Sequence, residues 1–403
     1  MNPMLISTGS LTRQSLAGQA AVVTGAGGGI GYEAARALIW LGARVVVAEI
    51  DSKTGKAAAG NLNQEFGPGS ALFIQTDVGN ERSIRHLDEQ AIRGFGKIDI
   101  VLNNATVAPL GAVKDLSIQD WDGSYRVNLR GPVLLARAFI PGMIERHKGT
   151  FVCVSSTGMA YMAAYESMKA AQVHVASTLS SELEGTGVTA FTIGPGYAPT
   201  HTAASSIPKL AKMMGKSADE ILTSIGAAAI SIEAAGAGFA AAVAMAERYT
   251  GLEIASVASL IDAGIDTGTA NSSSKKTLTP ETISQIGALS GKIRTTLAEQ
   301  SADWKRRSNF EQQWLIRSFK QQAGRPVEQW LELLIRIESL AGQGEGAGIL
   351  ALDAPLNLLS RYYSQLADMA KGYVKDPVQR EEQLGIVHAW QAECDQLDGL
   401  LKS

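Results

Sequence analysis

Cysteine is nearly missing from this chain of 403 residues: there are two, Cys153 and Cys394. Two distant thiols cannot staple a small secreted domain, so a disulfide scaffold is excluded and a reducing cytoplasm is the expected compartment. Histidine is almost as scarce. Its five copies are scattered, and none stands at a metal-ligand spacing from a cysteine or a second histidine, so no metal is expected. An excess of one charge is lacking too. With 36 basic and 39 acidic residues the net charge is −3, which leaves no electrostatic case for nucleic acid or an anionic membrane as partner. Long apolar runs are also wanting. The Ala-rich stretch 226–246 comes nearest, but alanine and glycine carry little transfer energy and Glu233 interrupts it, so it reads as a buried helix. The opening residues MNPMLISTGSLTRQS have neither the basic head nor the apolar run of a signal peptide. What the chain does have is apolar mass, 45% of its residues, enough for two domains and too much for disorder.

That mass is patterned. Short runs, apolar on both faces, occur at 20–24, 44–49, 72–76, 98–103, 150–155 and 188–193, with a weaker one at 253–257. Strands buried between two layers of helix have this texture. Helical patterns fill the gaps at 30–41, 52–66, 83–95, 118–147, 163–184 and 232–249. Alternation of this kind predicts an α/β fold, a doubly wound, parallel, seven-stranded sheet of Rossmann type, over 18–266 behind an N-terminal arm at 1–17. The polar segment DTGTANSSSKK then opens a linker at 267–279. Beyond it no strand pattern remains. Helical stretches at 280–322, 326–341, 354–374 and 377–401, with Pro280, Pro326 and Pro377 suited to first turns, predict a four-helix, all-α extension over 280–403. Four of the six tryptophans (Trp304, Trp314, Trp330, Trp390) fall in it, consistent with a buried face that serves subunit assembly or caps a pocket.

The first strand runs into VVTGAGGGIGYEAARAL, a glycine turn that opens a helix. Gly25, Gly29 and Gly31 leave room for a pyrophosphate to approach the backbone, and a helix N-terminus offers free N–H groups and a positive dipole end. Glycines also make ordinary turns, so the position after the first strand is what raises the signal. Glu49, at the end of the second strand, can accept hydrogen bonds from both adenosine ribose hydroxyls and repels a 2′-phosphate. No Arg or Lys lies in the turn or directly after Glu49, and NAD rather than NADP is the expected cofactor.

Thr24-Gly25-(x)3-Gly29-Ile30-Gly31 resembles the TGxxxGIG fingerprint of the short-chain dehydrogenase/reductase family. Further signatures follow in order. Asp77-Val78 is similar to the family's adenine-contacting pair, and Asn103-Asn104-Ala105 to its NNAG motif, with Thr106 in place of the glycine. Val127-Asn128-Leu129 is similar to the helix that carries the active-site asparagine, Tyr165-(x)3-Lys169 to the catalytic pair, and Pro195-Gly196-(x)3-Thr200 to the loop that clamps the nicotinamide. By this resemblance Gly25, Gly29, Ile30, Gly31, Glu49, Asp77, Val78, Asn104, Tyr165, Lys169 and Thr200 bind the cofactor. The resemblance ends near Gly264 and says nothing of the extension.

The chemistry agrees with the spacing. Oxidising an alcohol needs a base for the hydroxyl proton, and a free phenol, with a pKa of about 10, is a poor one. Tyr165 and Lys169, four apart on one helix, project from the same face, where an ammonium and an oxidised nicotinamide would stabilise the phenolate. Such a pair arises on helices by accident, and it counts here because it follows a Ser-tipped fifth strand. Ser156, with Ser155 as fallback, is expected to bond the substrate oxygen, and Asn128 to kink its helix and hold a relay water toward Lys169. No GxSxG elbow supports a serine hydrolase. One departure matters: Ser156 and Tyr165 are nine residues apart, fewer than the family usually has. By position, the segment 201–224 is the substrate lid, with Ile207, Leu210, Met213 and Met214 able to wrap an apolar substrate. Two functions stay open. The first is an NAD-dependent oxidoreductase acting on a secondary alcohol or its ketone through Asn128, Ser156, Tyr165 and Lys169. The second is a non-catalytic dinucleotide-binding sensor or scaffold that uses the extension as an interaction surface. Family members pair through the two helices matching 118–147 and 163–184, so a homodimer or homotetramer is expected.

Overall fold

Strand β1 (Ala20–Thr24) is buried along its whole length, with successive side chains entering opposite cores. Val23 joins a layer built with helices α1 (Gly29–Trp40), α2 (Ser52–Phe66) and α9 (Ile232–Ala244), and Val22 joins the other, with α3 (Glu81–Phe95), α5 (Gly131–Glu145) and α6 (Ala163–Glu182). Six further strands, β2 (Arg44–Glu49), β3 (Ala71–Gln75), β4 (Ile100–Asn103), β5 (Gly149–Val154), β6 (Val188–Gly194) and β7 (Glu253–Ala255), complete a parallel sheet in the order β3-β2-β1-β4-β5-β6-β7. In register, Val22 is flanked by Val46 and Val101. The chain crosses from β3 to β4 over β1, so neighbouring connections diverge at the carboxyl ends of β1 and β4 and leave a crevice there. The expected doubly wound α/β sheet is the observed one.

This computed structural model describes residues 4–156, 159–225, 229–265, 278–323, 326–346, 349, 352, 356–373 and 376–402. Most of the expected linker, at 267–277, lies outside the described residues, as do Thr157 and Gly158 in the short loop after Ser156. The chain divides into two compact units, Met1–Ser272 and Ser273–Ser403.

Several helices differ from the sequence pattern, each for a local reason. The 118–147 stretch is α4 (Ile118–Tyr125), a π-helical turn (Arg126–Arg130) and α5, with Asn128 fully buried in the wide turn. The 232–249 stretch breaks at Met245 into α9 and α10 (Ala246–Tyr249). The Ala-rich segment is α9, buried against α1, and among the described residues no helix is long and apolar enough to cross a membrane. The segment 201–224 holds two helices: α7 (His201–Met214), which Thr200 caps by accepting from Ala203 N at 3.2 Å, and α8 (Ala218–Ile225). Pro208 is accommodated inside α7. Helix α11 (Ser256–Asp262) follows β7 directly, where the pattern had extended the strand.

The second unit has five helices among its described residues rather than four: α12 (Pro280–Trp304), α13 (Asn309–Ala323), α14 (Val327–Gly342), α15 (Leu356–Tyr373) and α16 (Pro377–Lys402). The 280–322 run is cut by a capping box: Ser308 Oγ accepts from Glu311 N at 3.4 Å, while the Glu311 carboxylate accepts from Ser308 N at 3.2 Å. Pro326 precedes α14 instead of entering its first turn. Trp330, Tyr363, Phe319 and Leu334 are fully buried in this core, where rings approach from Trp304 through Phe319 and Tyr362 at 5.4 and 4.8 Å between centroids.

Candidate active site

The crevice begins at the end of β1. Thr24 Oγ1 accepts from Asn104 N and Ala105 N, both at 3.0 Å, which ties the end of β1 to the end of β4. Gly25 turns the chain at φ 64°, and a Cβ on Gly31 would stand 2.4 Å from Gly25 O. Only glycine permits that approach. Helix α1 then starts with no capping side chain and no acid in its first turn, and a Cβ on Gly28 would meet nothing within 4 Å. Uncapped N–H groups behind an open glycine face suit a phosphate group, so the residues present fit a dinucleotide.

The other expected cofactor residues surround this turn. Ile30 packs into the core beneath it, and Thr200 lies across it, its methyl carbon 3.5 Å from where a Gly29 Cβ would be. Glu49 is half-buried; its Oε2 accepts from Gly27 N at 3.0 Å and its Oε1 from Ile50 N at 2.9 Å. Asp77 Oδ1 accepts from Gly79 N at 2.9 Å, and Val78 is buried against Gly131. Asn104 is spent on the scaffold, since its Nδ2 donates to Thr24 O at 2.9 Å.

Farther along, β5 and α6 bring together Ser156, Tyr165 and Lys169. Ser156 stands close enough to the Tyr165 phenol to pull its pKa down, whereas Ser155 is buried and its N–H belongs to the ladder with Ile193. Ser156 is therefore the serine at the phenol. Lys169 is 1% exposed, donates to Val154 O at 2.8 Å, and places Nζ 5.6 Å from the Tyr165 ring centroid. Burial pushes its pKa down to about 8, against the opposing pull of Cys153 and Glu166. Burial raises the Tyr165 phenol above its usual 10, and the Glu166 charge adds to that. Without a nucleotide, desolvation thus outweighs the help expected from the lysine.

Asn128 anchors the other side. Its Oδ1 accepts from Thr106 Oγ1 at 2.8 Å and Val107 N at 3.1 Å, and its Nδ2 donates to Val107 O at 2.7 Å and Ser124 Oγ at 2.9 Å. The wide turn turns its carbonyl outward, and Gln172 Nε2 donates to it. Gln172 also accepts from Asn103 Nδ2 at 3.1 Å and is fully buried. Neither Gln172 nor Glu166 belongs to a motif in the sequence. Gln172 lies three residues past Lys169, so a polar group on the buried face of α6 was its signal. Glu166 gave none beyond adjacency to Tyr165, and its Oε1 accepts from Ser156 Oγ at 2.9 Å. Burial raises the Glu166 pKa, countered by that bond and by Lys169.

Toward solvent, a cleft is lined by Leu110, Leu116, Asp120, Tyr161 and Met213. Tyr161 holds a left-handed backbone, φ 68°, and its carbonyl accepts from Gly111 N at 2.9 Å. Of the residues expected to wrap a substrate, Ile207 and Leu210 are buried, and Ile207 and Met214 pack with Met159 and Tyr197. Met213 alone of the four is exposed at the cleft. Among the described residues no three metal-ligating side chains cluster.

Residues 19–211 match the family model for the short chain dehydrogenase. The BbsD subunit of (2S)-[(R)-hydroxy(phenyl)methyl]succinyl-CoA dehydrogenase from Thauera aromatica is 33% identical over 183 residues, 45% of this chain and 73% of the relative. The chain belongs to the short-chain dehydrogenase family. Another relative of this short-chain dehydrogenase, D-threitol dehydrogenase of Mycolicibacterium smegmatis, is 33% identical over 184 residues, 45% of this chain and 70% of its own. Among solved structures, the 3-ketoacyl-(acyl-carrier-protein) reductase of Brucella melitensis complexed with NADH superposes with a TM-score of 0.50 at 25% identity, over 60% of this chain and 97% of that one. An L-sorbose reductase from Gluconobacter frateurii complexed with NADPH superposes with a TM-score of 0.55 at 24% identity, over 61% and 96%, and supports the fold. The protein is thus an oxidoreductase by family, and its neighbours hold either NADH or NADPH.

Proposed function

We propose that this short-chain dehydrogenase is NAD-dependent and interconverts a secondary alcohol and its ketone. The observation that carries the reading is the meeting of half-buried Tyr165 and Ser156 with buried Lys169 at the carboxyl end of β5, beside an uncapped glycine turn. A bound dinucleotide would supply the hydride donor or acceptor. Tyr165 gives or takes the proton at the substrate oxygen, and Ser156 bonds the same oxygen once its hydroxyl is free. Lys169 brings a cation beneath the phenol and reaches for the ribose hydroxyls, while Asn128 braces the segment after β4 through Val107.

Glu49 supports NAD over NADP. Its carboxylate stands at the tip of β2, bonded to the glycine turn, where a 2′-phosphate would meet a negative charge. Gly25, Gly29, Ile30 and Gly31 line the pyrophosphate path, Asp77 and Val78 the adenine side, and Thr200 the nicotinamide side. A second copy of the chain is the proposed partner, seated on the faces of α4 and α5, where Ile118, Tyr125, Val133 and Ile144 are exposed. A cytoplasmic location is part of the proposal, supported by two free, buried thiols.

The test is Tyr165→Phe. With NAD+ and a panel of secondary alcohols, and with NADH and ketones, nicotinamide absorbance should show turnover that falls by about 10²–10⁴-fold in the variant while nucleotide binding is kept. Equal turnover in the variant refutes the assignment. A silent panel with tight nucleotide binding favours the sensor instead.

A further inference from the structure

Ser156 has one hydroxyl proton and two claims on it. In the resting site its Oγ donates to Glu166 Oε1 at 2.9 Å, and an ionised carboxylate can only accept, so the direction of that bond is fixed. In turnover the same proton is needed at the substrate oxygen, where charge develops. The two bonds cannot coexist on one hydroxyl. When Ser156 turns to the substrate, Glu166 loses its donor in a half-buried place. Burial raises the Glu166 pKa, and the Ser156 bond and the Lys169 charge are what hold it back. Stripping that bond from the carboxylate is unfavourable, so a substrate that replaces the lost donor gains over one that cannot. An acid in the first turn of a helix also suits the helix dipole, which accounts for an acid on α6 but not for its bond to the serine.

We propose that Glu166 is a specificity-determining residue that selects substrates with a second hydroxyl on the carbon next to the reacting carbinol, a vicinal diol on an uncharged, largely apolar body. This deepens the oxidoreductase reading and rests on it for the role of Ser156. The reach closes. An oxygen held about 2.8 Å from Ser156 Oγ lies within about 5.7 Å of Glu166 Oε1. Staggered oxygens on adjacent carbons stand about 3 Å apart and one hydrogen bond adds about 2.7 Å, so a neighbouring hydroxyl spans that gap. In the oxidation the carbinol C–H bond breaks and its hydride leaves for the oxidised dinucleotide, while the O–H proton passes to Tyr165. The second hydroxyl stays intact on Glu166, and the product is an α-hydroxyketone. The rest of the substrate is read from the cleft, whose wall includes Tyr161, two residues before α6 begins. Leu110, Leu116, Tyr161 and Met213 offer it apolar surface, and among the described residues that line the cleft none is a cation. A carboxylate or phosphate on the substrate would meet Asp115 and Asp120 there instead.

The probes are cyclohexane-1,2-diol, cyclohexanol, which lacks the second hydroxyl, and 2-methoxycyclohexanol, which keeps that oxygen but not its proton. With the full chain, NAD+ and nicotinamide absorbance as the readout, kcat/KM for the diol should exceed that for each of the others by at least about tenfold. In Glu166→Ala the ratio should collapse to within about threefold of unity. A merely structural loss would lower all three probes alike and leave the ratio where it was. Calorimetry on Tyr165→Phe with NAD+ bound repeats the comparison without turnover. There the diol should bind at least about tenfold tighter than cyclohexanol, and adding Glu166→Ala should abolish the difference. Where no probe is turned over, the calorimetric ratio alone decides. Equal kcat/KM or equal affinity before Glu166 is changed overturns the proposal, as does a preference that survives Glu166→Ala. Turnover retained by Tyr165→Phe sinks the oxidoreductase reading alone, so the two can fail separately.

Discussion

Lys169 offers the sharpest physical test, because nearly all of its surroundings are dry. The ammonium is buried and donates a hydrogen bond to the Val154 carbonyl, and burial brings its pKa from 10.5 to about 8. At about 1.4 kcal/mol per pH unit, that fall corresponds to about 3 kcal/mol of penalty on the charged form in the folded state. The sign follows from proton binding. Between about pH 8 and 10.5 the unfolded chain holds a proton on this lysine that the folded chain has lost, so folding stability contributed by this group rises with pH across that window. Below pH 8 both states are protonated and the penalty is constant. Lys169→Met keeps most of the stem and removes the charge. The difference in unfolding free energy, wild type minus variant, should be flat below pH 8 and climb by up to about 3 kcal/mol toward pH 10.5. Cys153, pushed up to about 12 by burial, titrates beyond the window. Urea unfolding followed by circular dichroism in steps of pH measures the difference. A flat or falling difference would refute the claim that a desolvated ammonium sits at this position.

Two further outcomes follow from other parts of the chain. Glu49→Gln removes the charge that would repel a 2′-phosphate and weakens the grip on ribose hydroxyls, so the ratio of NADP+ to NAD+ dissociation constants should fall at least about tenfold, or about 1.4 kcal/mol; calorimetry that finds the ratio unmoved would contradict the assignment of Glu49. In the second unit, Trp330 is fully buried and its Nε1 donates to Ala323 O at 3.0 Å, so Trp330→Ala should cost about 3–5 kcal/mol of that unit's stability. Urea unfolding read by hydrogen exchange over 280–402 checks it, and a loss below about 1 kcal/mol would show the core packing to be misassigned.

The fold was legible because buried strands advertise themselves. Runs such as Ala20–Thr24 and Arg44–Glu49 are apolar on both faces, and their boundaries agree with the sequence pattern residue for residue. Helix interruptions were harder to read. The π-helical turn at Arg126–Arg130 leaves no mark in hydrophobic periodicity, and the cut at Ser308 rests on one capping box inside a run that otherwise reads as continuous helix.

By order and spacing alone, the sequence determined the parallel sheet, the glycine turn, the Tyr165–Lys169 pair on one helical face and the acid at the end of β2, because each depends on residues close together along the chain. Only the tertiary structure decided which serine stands at the phenol, that Gln172 takes the Asn128 carbonyl, that Thr106 donates to Asn128 and that Ser156 donates to Glu166. Those facts depend on hydrogen-bond partners from four separate segments and on how deeply each is buried, and a polar atom's donors and acceptors are settled by what folding places around it.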